Sequence, residues 1–188
     1  TSRVNIPGLI MAGSCGLELR FPDGRTVLPS GEIVQRCATG RKRLMPYTEV
    51  LRSVVGVDIE NKPYSIAVHF RHVSATDRQQ VIHIIEELRG HHPALIFAGP
   101  ASADIQLVPE SSKLLAIKHL AKLIGLESLN SIMYAGDDEN DAIAMRWVLD
   151  NGGTAFAVGG RISVSGAFDM SSPTELADAV YHLITVKY

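Results

Sequence analysis

The densest chemistry in the chain is a six-residue run, Gly136-Asp137-Asp138-Glu139-Asn140-Asp141, in which every side chain after the glycine carries an oxygen donor. It follows the apolar run Ile132 to Ala135, which reads as a buried strand, and precedes a helical pattern. In open α/β sheets ligands bind at the carboxyl ends of strands. A glycine there lets the chain turn sharply, so that the next side chains face the crevice. Asp137 and Asp141 are four residues apart, and one helical turn brings them together. So many like charges repel without a cation, and hard oxygen donors at such an edge suit magnesium, which takes one or two carboxylates plus water and phosphate oxygens. A helix dipole accounts for the run less well: one or two acids would satisfy it, and four acids in five residues exceed that need. A calcium EF-hand loop fails, because with Asp137 in first position Ala142 falls where glycine is required and Val148 where glutamate is.

The second feature is Lys113, at the start of a helix that follows a strand reading as Ile105 to Val108. A lone lysine is ordinarily a solvated one. This one stands at a second strand-to-helix crossing on the edge that carries the aspartates, where an ammonium could hold a phosphate or a nucleophilic carboxylate.

The elements that position these residues come in two styles. From Leu9 to Leu28 short apolar runs alternate with turn signals at Gly13, Gly16 and Pro22-Asp23-Gly24, as in a hairpin. Tyr64 to Phe70 alternates as a strand with one buried face, Thr76 to Arg89 carries Val81, Ile84, Ile85 and Leu88 at helical spacing, and Ala94 to Ala98 reads as a strand. From Asp104 the rhythm becomes strand, helix, strand, helix, the signature of a parallel sheet with crossover helices. Its further members are a helix from about Ser112 to Gly125, a helix from Asn140 to Leu149 and a strand from Thr154 to Val158. A last helix opens on the capping box Ser172-Pro173-Thr174-Glu175. The expected fold class is α/β: a Rossmann-like parallel core, incomplete at its N-terminus and formed by residues 1–16 and 99–188, with an inserted α+β cap formed by residues 17–98.

Composition narrows the function classes. The 188 residues are 46% hydrophobic and 20% charged, which argues for a folded domain rather than disorder. The net charge of −2 argues against a nucleic-acid or membrane partner, and the brief basic cluster of Arg36, Arg41, Lys42 and Arg43 reads as a solvated loop. Two cysteines, Cys15 and Cys37, without a Cys-x-x-Cys pairing, argue against zinc and disulfide frameworks and for a reducing compartment, here the cytoplasm. No apolar run approaches the roughly 18 residues a membrane span needs.

Lys113 within Pro109-Glu110-Ser111-Ser112-Lys113, followed about two dozen residues later by Gly-Asp-Asp-x-x-Asp, is similar to the third and fourth motifs of haloacid dehalogenase phosphatases. Pro7-Gly8-Leu9, Ala12-Gly13-Ser14-x-Gly16-Leu17-Glu18, Glu60-Asn61-Lys62-x-x-Ser65 and Val68-His69-Phe70-Arg71 resemble the trehalose-6-phosphate phosphatase branch. The resemblance implies a magnesium-dependent phosphatase that converts trehalose 6-phosphate to trehalose and phosphate through an aspartyl phosphate. By it Asp137 is a magnesium ligand, with Asp138 and Asp141 in close support, and Lys113 steadies nucleophile and phosphate. Arg20, Glu60 and Lys62 lie on the cap and touch sugar hydroxyls or phosphate; on the residues alone, Glu60 and Lys62 read equally well as a surface ion pair.

The chain also departs from the branch. Cys15 stands where histidine is usual, Leu114 where glycine is common, and Gln106 where many relatives have an acid. No Asp-x-Asp-Gly-Thr motif occurs, and the serine or threonine motif expected after it is absent, so the implied nucleophile lies outside these residues. The expected partners are a phosphorylated sugar and either a front segment bearing the nucleophile or a fused or associated synthase. The alternatives are a non-catalytic phosphatase-like domain with an assembly or regulatory role, or a phosphatase for another sugar phosphate. These 188 residues alone are expected to be inactive.

Overall fold

A computed structural model describes residues 8–91, 96–126 and 128–185, without the side chains of residues 183 and 184. By its internal contacts the chain divides into two compact units, Thr1–Ser112 and Lys113–Tyr188.

The first unit opens with a small antiparallel sheet of β1 (Met11–Gly13), β2 (Glu18–Arg20) and β3 (Thr26–Val27). The expected turn at Pro22-Asp23-Gly24 joins β2 to β3: Gly24 takes φ +85°, and the Asp23 carboxylate accepts from the Arg25 amide at 2.9 Å. The link from β1 to β2 is unusual, because Ser14 and Cys15 both take φ 52° before Gly16 at φ 89°. That costs backbone energy for a residue with a Cβ.

A 23-residue helix, α1 (Gly31–Ser53), follows, and it corrects the loop expected at Arg36, Arg41, Lys42 and Arg43. Ser30 caps it by accepting from the Ile33 amide. Its buried residues Cys37, Leu44, Thr48 and Leu51 form one narrow stripe. The basic residues are partly structural: Arg36 forms a two-pronged pair with Glu110 at 2.5 and 3.2 Å. Arg41 donates to the Asn61 side chain at 2.9 Å and to the carbonyls of Lys62 and Pro63 at 2.5 and 3.2 Å, tying the turn after Glu60 to the helix.

A four-stranded sheet in the order β4 (Asp58–Asn61), β5 (Ser65–His69), β7 (Ser102–Gln106), β6 (Ile96–Gly99) completes this unit, with α2 (Ala75–His91). Ala94 and Leu95, expected in the strand that ends at Ala98, lie outside the described residues. Every pairing in the sheet is antiparallel. The strand expected to open the parallel region therefore belongs here: β7 pairs with β5 on one side and β6 on the other. Its register aligns Ile105 with Ile66 and Ile96, so these side chains share one face. Against that face pack Leu51, Val81, Ile85 and Leu88, the side chains that α1 and α2 bury. Each fully buried one contributes roughly 1.5–3 kcal/mol. The other face carries acids on either side of a buried alanine, with Glu60, Ala67 and Asp104 aligned across three strands and Phe97 beside Asp104.

The second unit is the parallel half. Its sheet runs β10 (Phe168–Met170), β9 (Thr154–Val158), β8 (Met133–Gly136), with α3 (Lys113–Leu123), α4 (Glu139–Asp150) and α5 (Pro173–Thr185). β9 is buried along most of its length, as its sequence requires. The apolar β8 is not covered on both faces as expected. Among the described residues it pairs on one side only, with β9, and Met133 is 48% exposed. At the α4 to β9 turn a Cβ on Gly153 would approach the Ile132 carbonyl to 2.7 Å, so only glycine fits. Among the described helices none is long and apolar enough to cross a membrane.

Candidate active site

The carboxyl end of β8 delivers Gly136, Asp137 and Asp138 to the start of α4. Asp138 is the helix cap: its carboxylate accepts from the Asp141 amide at 2.9 Å, and the Asp141 carboxylate accepts from the Asp138 amide at 3.3 Å. Asp141 also accepts from the Asp137 amide at 3.1 Å and from the Tyr134 hydroxyl at 2.8 Å. It lies tucked against Gly136, where a Cβ would overlap its side chain. The glycine thus acts by close approach, and what it admits is the Asp141 carboxylate.

Lys113 reaches this cluster although its preceding strand lies in the antiparallel sheet. The Asn140 side chain accepts from the Lys113 backbone amide at 3.1 Å, which fixes the start of α3 beside the start of α4. The ammonium then bonds Asp141 at 2.8 Å and Asp138 at 3.0 Å. Burial pushes the Lys113 ammonium down, but the bonds to Asp141 and Asp138 outweigh it and hold the group above the ordinary lysine value. Burial likewise raises the Asp141 carboxyl, and the bonds from Lys113, Tyr134 and the Asp137 amide more than reverse this, leaving it below the ordinary aspartate range.

Asp137 is spent differently. Its carboxylate is 52% exposed and meets the Arg161 guanidinium at 3.1 Å. Ligand oxygens of Asp137, Asp138 and Asp141 all lie within 4.8 Å of one another. Three carboxylates face two cations, so the cluster keeps a negative charge, and its donors are all hard oxygens. That set fits a magnesium ion, with Asp137 as the most open donor, Asp138 beside it with its two oxygens already accepting from Lys113 and from the Asp141 amide, and Asp141 as the buried brace.

The structure thus brings Lys113, Asp138 and Asp141 into direct contact and sets Asp137 beside them. Arg161, Tyr134 and the bracing role of Asn140 were not read from the sequence. The Gly159-Gly160-Arg161 turn, directly after a strand of the same sheet, was the available signal for Arg161.

The remaining candidates lie in the first unit. Glu60, on β4, has Lys62 at 3.9 Å and His69 at 3.7 Å, and Lys62 also lies 3.6 Å from Asp104. All are partly open, at ion-pair rather than hydrogen-bond range. Arg20 is exposed on β2, opposite Met11 and Thr26. Gln106 is buried; its amide donates to Asp104 while its carbonyl accepts from the Ser111 hydroxyl at 2.6 Å. An ionised acid there could not donate to Asp104, whereas an amide serves both partners.

Comparison with known proteins gives the family and the fold. The family model described as trehalose-phosphatase matches residues 1–174. A probable trehalose-phosphate phosphatase D of Arabidopsis thaliana is 25% identical over 208 residues, covering 98% of this chain and 53% of that protein. The chain spans about half the length of that relative and of a second Arabidopsis one. Among solved structures, the C-terminal domain of C. albicans trehalose-6-phosphate phosphatase superposes with a TM-score of 0.65 at 17% identity, covering 89% of this chain and 68% of that one. A haloacid dehalogenase-like hydrolase from B. subtilis gives 0.61 at 14% identity, covering 94% and 80%. The fold is therefore the α/β fold of haloacid dehalogenase-like hydrolases, and the chain belongs to the trehalose-phosphatase family.

Proposed function

We propose that this chain is part of a magnesium-dependent phosphatase that releases phosphate from trehalose 6-phosphate, by way of an aspartyl phosphate whose nucleophile lies outside these 188 residues. The observation that carries the proposal is the Lys113 ammonium held between Asp138 and Asp141, beside the outward carboxylate of Asp137, in a chain matched by the trehalose-phosphatase model. Magnesium bound at Asp137 and Asp138 would offset charge on the transferring phosphoryl group. Lys113 supplies a fixed positive charge at the same edge, and Asp141 holds that lysine in place. Because these groups are braced before substrate arrives, little reorganisation is needed in the transition state.

The lack of an Asp-x-Asp-Gly-Thr motif among these residues supports an outside nucleophile. In the same proposal the antiparallel sheet with α1 and α2 is the cap and the parallel unit is the core. Arg20, Glu60 and Lys62 would receive the sugar phosphate, and a front segment, or a fused or associated synthase, is the protein partner. A cytoplasmic setting is part of the same proposal.

The test is phosphate release from trehalose 6-phosphate with magnesium, by residues 1–188 and by the product of the complete reading frame. Release by the complete product alone is expected. Turnover by residues 1–188 would require an unrecognised nucleophile, and no release by either would favour the non-catalytic alternative.

A further inference from the structure

The aspartate cluster holds its two cations in different ways. Lys113 is bonded to two carboxylates, and its partner Asp141 has a side chain only 6% exposed. Arg161 touches Asp137 through one contact of 3.1 Å, with side chains 69% and 52% exposed. Removing one member of a buried pair strands a charge in a poor solvent. An exposed pair contributes little and both members rehydrate when it opens. Of the two cations, Arg161 is therefore the more weakly held at the cluster.

The surrounding backbone allows Arg161 to move. Gly159 and Gly160 take φ +78° and +68°, and among the described residues beyond their own chain neighbours no atom lies within 4 Å of where their Cβ atoms would be, so the turn carrying Arg161 is open on that side. The Gly159 amide donates to the Met170 carbonyl at 2.8 Å and anchors the near end of the turn. A crevice of about 480 Å³, lined in part by Gly136, Asp137, Val158, Arg161 and Leu176, gives the guanidinium room to leave. Arginine does not lose its proton in proteins, so it must move away from a bound dication, which repels it.

We propose that Arg161 is the resident counter-ion of Asp137: it holds the carboxylate in the metal-free protein, gives it up when a divalent cation binds, and so weakens apparent metal affinity. This inference rests on the reading of Asp137 as a metal ligand, and the test separates the two. Manganese is the probe, with free Mn²⁺ followed by electron paramagnetic resonance during titration of the 188-residue chain, Arg161→Gln and Asp137→Asn. Arg161→Gln should bind Mn²⁺ about two- to fivefold more tightly than the unchanged chain. That advantage should shrink at high salt, which screens an exposed competitor. Binding by Arg161→Gln equal to or weaker than that of the unchanged chain, with Asp137→Asn clearly weaker than both, overturns the competition and leaves the metal site standing. Asp137→Asn binding as well as the unchanged chain overturns the metal site itself.

Discussion

The Asp141 carboxylate meets the Lys113 ammonium at 2.8 Å while also accepting from the amides of Asp137 and Asp138 and from the Tyr134 hydroxyl. One buried side chain thus braces the loop, the lysine and the strand end together. Held below its ordinary value in the folded state, Asp141 contributes stability that is present above about pH 3.9 and lost as pH falls through its folded value. Lys113, held above its ordinary value, contributes stability that is present below about pH 10.4 and lost as pH rises through its folded value. In the metal-free protein the pair is therefore at full strength from about pH 4 to pH 10. Asp141→Asn should cost about 1.5–3 kcal/mol at pH 7, with the loss shrinking at pH 3. Urea unfolding at the two pH values checks this; an equal loss at both would contradict it.

Gly136→Ala should damage the site through shape alone, because the added methyl overlaps the Asp141 side chain. A loss of about 1–3 kcal/mol is expected, together with weaker Mn²⁺ binding. Gly31→Ala, in the first turn of α1 with nothing within 4 Å of its added Cβ, is the control and should be neutral or slightly stabilising. Thermal unfolding of the two variants decides the matter. Similar behaviour in both would remove the close-approach argument.

The cap reading predicts selectivity. Glu60 is 57% exposed with only loose partners, so Glu60→Ala should leave the fold intact. In the product of the complete reading frame it should reduce kcat/KM on trehalose 6-phosphate at least tenfold more than on a small aryl phosphate, which lacks the hydroxyls a carboxylate binds. Equal losses on both substrates would take Glu60 out of the specificity site.

Lys113→Ala in the same protein should lower kcat more than it raises KM, if the ammonium's contact with the phosphoryl group tightens in the transition state. A change confined to KM would make Lys113 a binding residue only.

What could be read from the sequence was what depends on neighbours in the chain. The acids of the Gly136 to Asp141 run, the stripe of α2, the Pro22-Asp23-Gly24 turn and β9 all announce themselves within a few residues. Helix α1 did not, because it buries only four residues over its length and carries Gly40 and Pro46 in its interior, both poor helix formers. Gly40 has a tertiary reason invisible in sequence: a Cβ there would approach the Leu107 carbonyl to 2.9 Å. The direction of β7 was missed because side-chain alternation is the same in parallel and antiparallel strands, and a helix following a strand is only indirect evidence of a crossover. The exposure of β8 was missed because an apolar run reports what a strand can tolerate, not which neighbours are present. Within the site, Arg161 and Tyr134 depend on tertiary proximity, and no spacing rule connects them to the aspartates.

The most direct measurement is an anomalous difference map from crystals of the 188-residue chain grown with Mn²⁺. A peak at roughly 2.1–2.2 Å from an Asp137 carboxylate oxygen is expected, close to the distance for a hard cation of this size, with the Arg161 guanidinium moved off that carboxylate. Asp137 still paired to Arg161 at 3.1 Å, with no peak at the end of β8 in crystals soaked to saturation, would contradict the metal site on which the proposed phosphatase depends.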